Sequence, residues 1–81
     1  MDWNRVIAAN VKRLRTEQGL TQERLAHEAE LDLTYIGGIE RGRRNPTVNA
    51  LDRIAKALAV RLPDLLEVEG DTTGCGPDGE T

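Results

Sequence analysis

Phenylalanine is absent from this chain, and Trp3 and Tyr35 are its only aromatic residues. The apolar content is therefore aliphatic and Ala-rich, which favours helices over strands. A single cysteine, Cys75, rules out a disulfide within the chain and suits a reducing compartment. The single histidine, His27, has no second histidine or cysteine cluster to complete a zinc site. No apolar run approaches the ~20 residues needed to span a bilayer. The start, MDWNRVIAAN, lacks a basic stretch followed by an apolar one, so no signal peptide is expected. No Gly-rich phosphate loop follows a strand pattern, and 81 residues leave little room for a deep pocket. Neither an enzyme nor a cofactor is expected.

The formal net charge of −3 at first argues against nucleic acid, but its distribution reverses the argument. From Glu67 onward there are five acids (Glu67, Glu69, Asp71, Asp78, Glu80) and no Lys or Arg. Residues 1–66 hold eleven basic and nine acidic residues, a net of +2. A domain this weakly basic needs its positive charge concentrated, and Arg41, Arg43 and Arg44 concentrate it. The chain accordingly divides into a single small domain, residues 1–68, and an acidic Gly-rich tail, residues 69–81. The tail has no apolar periodicity and is expected to be disordered. With no disulfide or metal, stability must come from packing or from dimerisation.

Five helices are predicted. The first covers about residues 3–18, with Ile7, Val11 and Leu14 on one face, Asp2 as N-cap and Gly19 as a left-handed stop. Thr21 caps the second, whose inner face is Leu25, Ala26 and Ala29, with Glu23 favourably near its N-terminus. Asp32 caps the third, which ends near Gly42 and points Ile36 and Ile39 inward. The turn-rich RGRRNP follows, and Pro46 disfavours helix at Asn45. Thr47 caps the fourth, with Val48, Leu51, Ile54, Ala55 and Leu58 as its stripe. A short fifth begins near Pro63 and carries Leu62, Leu65 and Leu66.

Two amphipathic segments separated by a tight break, then an Arg cluster, make residues 20–46 a helix-turn-helix signature. This arrangement can lay one helix in the major groove of DNA. On the third helix Leu33, Thr34, Gly37, Gly38 and Arg41 share one side. That side holds almost nothing that seeks burial and should face outward, offering Leu33, Thr34, Gly37 and Gly38 to base edges. Glu40 shares the face of the buried isoleucines, and Arg15 follows the inward residues of the first helix. A partly buried carboxylate without a partner is costly, so the economical solution is that Arg15 and Glu40 pair.

The pattern LTQERLAHEAELDLTYIGGIERGRRNPT resembles the Cro/repressor-type, or XRE, helix-turn-helix family. The resemblance runs over about residues 4–67, including NVKRLRTEQG before the motif and LDRIAKALAV after it. It implies an all-α, five-helix, lambda-repressor-like domain that binds double-stranded operator DNA as a homodimer in the cytoplasm, at the nucleoid when bound. It implies that Leu33, Thr34 and Gly38, with Gly37 beside them, touch bases. It also implies that Gln22, Tyr35, Arg41, Arg43 and Arg44 meet phosphates, and that Arg15 and Glu40 form an internal ion pair. Layout and length are similar to restriction-modification controller proteins and small phage repressors. Leu62, Leu65, Leu66 and Val68 are the dimer-interface candidates, which would set two recognition helices about one DNA turn, ~34 Å, apart on a near-palindrome.

The chain departs from the family pattern twice. Glu30 stands in the turn where Gly is frequent, and a left-handed residue there would be strained. Gly37-Gly38 stands where Ser or another polar residue is commoner at 37, and two interior glycines cost about 1 kcal/mol each against Ala. A bare face brings the helix close to DNA, with Leu33 and Thr34 against thymine methyls and more of the binding left to the arginines and DNA deformability. The same bareness, with the acidic tail, suits an alternative: an antitoxin- or adaptor-like interaction module that keeps the fold but reads DNA weakly or not at all. A further possibility is that the tail folds onto the arginines and inhibits binding.

Overall fold

The computed structural model describes residues 2–68 of the protein, which form an all-helical domain. Four α-helices follow one another: α1 (Trp3–Glu17), α2 (Gln22–Ala29), α3 (Leu33–Glu40) and α4 (Val48–Ala57). The predicted fifth helix is instead a 3-10 helix, Leu62–Leu66. Five residues beginning around a proline close too few i→i−4 bonds for an α-helix, and the tighter bonding suffices to turn the chain. The expected tail, with Cys75, lies outside the described residues.

Each α-helix starts where a short polar side chain can take an orphan amide. The caps are Asp2 to the Asn4 N–H (3.1 Å), Thr21 to Arg24 (3.0 Å), Asp32 to Thr34 (2.9 Å) and Thr47 to Ala50 (3.0 Å). The four helices also stop alike. Gly19, Glu30, Gly42 and Ala59 all have φ between 58° and 74°. In each case the next amide reaches back five residues, as in Leu20 N–H to Arg15 (3.0 Å), Leu31 to Ala26, Arg43 to Gly38 and Val60 to Ala55 (each 2.9 Å). This is the left-handed helix stop that favours glycine. Glu30 therefore adopts the strained conformation its position demands, beside the exposed guanidinium of Arg53, 3.7 Å from its carboxylate.

Helix α1 packs on α3 and the 3-10 helix, α2 on α3 and α4, and α4 on the 3-10 helix. Ile7, Val11, Leu25, Ala26, Ala29, Ile36, Ile39, Leu51, Ile54, Ala55, Leu58 and Leu65 make the core, with Leu14 partly buried at its edge. Val48, expected in the stripe of α4, is 72% exposed at the first position of that helix, and burial begins at Ala50 and Leu51. Among the described residues, Asn10 is the polar residue buried as a whole, 1% exposed. Its amide donates to the carbonyls of Leu65 and Glu67, both at 2.8 Å, and so fastens α1 to the end of the described chain. The pattern of apolar spacings gave no sign of it, since Asn10 reads as an ordinary polar helix position.

Ala59 is exposed and left-handed, so its methyl gains nothing from packing and carries the steric cost of that conformation. We expect Ala59→Gly to stabilise the domain by about 1 kcal/mol, raising the thermal midpoint by roughly 4–8 °C. Calorimetry checks this; a lowered midpoint would mean that the left-handed stop is not what holds this turn.

Candidate nucleic-acid interface

The second and third helices owe their mutual placement to a carboxylate. Glu40 closes α3, and its side chain is only 3% exposed. Arg15, on α1, grips it with a fork: Nε donates to Oε2 at 2.6 Å and Nη2 to Oε1 at 3.1 Å. The third nitrogen of that guanidinium, Nη1, donates to the Leu20 carbonyl at 2.7 Å, fixing the turn between α1 and α2. Gln22, the first residue of α2, donates its amide Nε2 to Glu40 Oε1 at 3.0 Å. Three segments distant in sequence thus converge on one carboxylate, and the bidentate geometry sets their angles.

Leu33 and Thr34 are exposed at the start of α3, Leu33 by 41%. Gly37 and Gly38 differ from expectation, for both are buried. The reason is that two arginines from beyond the helix fold back over them. A Cβ on Gly37 would stand 3.3 Å from Arg41 Nη2 and 3.8 Å from Gln22 Oε1. A Cβ on Gly38 would stand 2.5 Å from Arg44 Cγ, so the aliphatic stem of Arg44 occupies that space. The Gly38 carbonyl accepts from the amides of Arg43 (2.9 Å) and Arg44 (3.2 Å), which holds the loop in this fold-back.

Tyr35 is half-buried against the core, with the Arg44 guanidinium 5.8 Å from its ring centroid and its hydroxyl accepting the Thr47 amide at 3.4 Å. It ties the arginine loop to the cap of α4. Arg41, Arg43 and Arg44 are exposed, and among the described residues no carboxylate lies within ion-pair distance of any of them. Arg41 also borders a hollow of about 280 Å³ whose α1 side carries Arg5 and Lys12. His27 is exposed on α2, and the described residues contain no group of three potential metal ligands.

The dimer candidates separate. Leu65 is wholly buried in the core and cannot serve a partner, because the 3-10 turn directs it inward. Leu62 packs against the same core. Leu66 and Val68 remain accessible, each 36% exposed, and Trp3 is 50% exposed. Val68 lines a shallow hollow of about 230 Å³ with Val6 and Ala9 of α1. Trp3 was not anticipated as part of an accessible apolar surface; its spacing of three from Val6 was the available signal.

Comparison with known proteins places residues 11–65 in a helix-turn-helix family model. The chain is similar to an HTH-type transcriptional regulator of Sinorhizobium fredii, 40% identical over 72 residues that cover 89% of this chain and 94% of that protein. It is similar to control protein C.SmaI of Serratia marcescens, 43% identical over 70 residues, 86% of this chain and 83% of the relative. Among solved structures, the restriction-modification controller protein C.AhdI from Aeromonas hydrophila superposes with a TM-score of 0.75 at 37% identity, covering 76% of this chain and 94% of that one. Among the described residues, no helix is long and apolar enough to cross a membrane.

The two glycines should respond differently to a methyl group. At Gly37 the added Cβ meets only the mobile tip of Arg41, so Gly37→Ala should gain about 0.5–1 kcal/mol from helix propensity. At Gly38 it meets Arg44 close to the backbone, so Gly38→Ala should gain nothing or lose stability. Urea unfolding of both variants decides; equal stabilisation would mean that Arg44 does not rest on Gly38.

Proposed function

The chain belongs to the XRE-type helix-turn-helix family, and we propose that it acts as a sequence-specific DNA-binding transcriptional regulator that grips a near-palindromic operator as a homodimer. The observation that carries this reading is the isolation of positive charge on one loop. The one acid adjoining the arginines, Glu40, is consumed by Arg15 and Gln22. Arg41, Arg43 and Arg44 are exposed beside the start of α3, with no counter-charge among the described residues. Such a loop attracts a polyanion, and the neighbouring helix supplies a surface that fits a groove.

In this reading Leu33 and Thr34 lie against base edges, while Arg43 and Arg44 hold phosphates. Gln22 has one amide hydrogen left after serving Glu40 and can donate it to a phosphate at the N-terminus of α2. Tyr35 acts by seating Arg44, with its hydroxyl close enough to the loop to share a phosphate. The two-fold partner is received on Leu66, Val68 and Trp3, the accessible apolar residues at one end of α1 and the 3-10 helix. The relatives named as control proteins favour a restriction-modification controller as the biological setting. They do not favour the alternative of an interaction module that no longer reads DNA. The lambda-repressor-like layout and a role for residues 69–81 as a separate tail belong to the same proposal.

Binding to duplexes selected from random DNA tests it. The logarithm of affinity should fall linearly with the logarithm of salt, and removing Arg43 or Arg44 should lower that slope by about 0.9 per protomer. Failure of the full-length protein to bind any duplex at low salt would overturn the reading.

A further inference from the structure

The reading face of α3 carries almost no hydrogen-bonding side chain, since Leu33 is apolar and Gly37 and Gly38 have none. We propose that Arg41 supplies what is missing: its guanidinium, laid back over Gly37, reads a guanine in the major groove instead of holding a phosphate. The inference rests on the DNA-binding reading above.

Side chains on a helix lean toward its N-terminus, so a residue at the C-terminal end covers the position four before it. Arg41 caps α3 and stands four after Gly37. Its Nη2 and Cζ lie 3.3 and 3.8 Å from where a Cβ of Gly37 would be, with Gln22 Oε1 on the other flank at 3.8 Å. The guanidinium therefore fills the volume of the absent side chain on the surface of the recognition helix. A serine or larger residue at 37 would displace it, so the glycine and the arginine act as a unit. Among the described residues no carboxylate pairs with this guanidinium. Glu40, next in sequence, is committed to Arg15 and Gln22. On the side facing α1, Arg5 and Lys12 present like charge across the hollow. Arg44 is held differently, its stem on Gly38 and its charge over Tyr35, and the loop amides of Arg43 and Arg44 are tied to the Gly38 carbonyl. A planar guanidinium on the helix face has the donor spacing for the O6 and N7 acceptors of guanine, a bidentate contact that distinguishes all four base pairs.

Base preference at each position of the half-site, measured for the full-length protein on a selected operator and its single-base variants, decides between reading and gripping. The expected result is one G·C pair per half-site whose replacement weakens wild-type binding about tenfold to hundredfold. Arg41→Ala abolishes the preference at that pair and leaves the other positions discriminating. Arg41→Lys, which keeps the charge but loses the fork, loses the same preference while retaining the salt dependence. Gly37→Ala, which shifts the guanidinium without removing it, weakens preference at that same pair. Uniform weakening by Arg41→Ala across all sequences, with a shallower salt slope and with Arg41→Lys behaving as wild type, would overturn the inference and make Arg41 a phosphate contact. Wild-type protein that binds no duplex would remove the DNA-binding reading itself, and the inference with it.

Discussion

A buried carboxylate is an expensive thing to place between helices, and the arrangement around Glu40 depends on satisfying it. Taking the charge out of water costs several kcal/mol after relaxation, and the attraction to Arg15 offsets this only with near-ideal geometry. The geometry is supplied in full: two bonds from the Arg15 fork, one from Gln22, and a third Arg15 bond to the Leu20 carbonyl. Rotating α3 by a few tens of degrees, or sliding α2 along it, would break at least one of them. The cluster therefore contributes less to stability than to uniqueness. It fixes the angle between the start of α2 and the end of α3, the two places from which a helix-turn-helix meets DNA.

The same neutralisation has an electrostatic consequence. Had Glu40 pointed outward, its negative charge beside the loop would have cancelled part of the loop's positive charge. Drawn inward, it leaves three arginines without a carboxylate partner among the described residues, on a domain whose net charge is only slightly positive. The glycines then determine where those arginines rest. Gly38 admits the stem of Arg44, which Tyr35 holds from the other side, and Gly37 admits the tip of Arg41. The bareness of α3 is a pair of seats, one for each arginine.

Helix starts, most of the core and the family pattern were legible in the sequence because they rest on local signals. The four caps are short polar residues ahead of periodic stripes, and the spacing of Arg15 and Glu40 put both on inward faces. What was not legible depends on distant or conformational facts. Gly37 and Gly38 share an outward face by helical spacing, and only the fold-back of the chain after residue 40 covers them. Leu62, Leu65 and Leu66 are too few to reveal a period, so which one enters the core follows from the 3-10 turn and from Asn10 reaching across to it. Ala59 carries no mark of left-handed backbone, being an ordinary helix former placed where the helix ends by tertiary need, and for Glu30 only the family's glycine at that turn marked it.

The most direct measurement is a double-mutant cycle on Arg15 and Glu40, followed by urea unfolding at one fixed protein concentration, since dimerisation would couple to stability. Arg15→Met leaves Glu40 buried without a counter-charge, held only by Gln22, and should cost about 3–5 kcal/mol, whereas Arg15→Met with Glu40→Leu should recover most of that loss. A coupling energy of about 2 kcal/mol or more is the result the account predicts. Additive single substitutions, each costing less than about 1 kcal/mol, would contradict it and reduce the pair to a solvated surface contact.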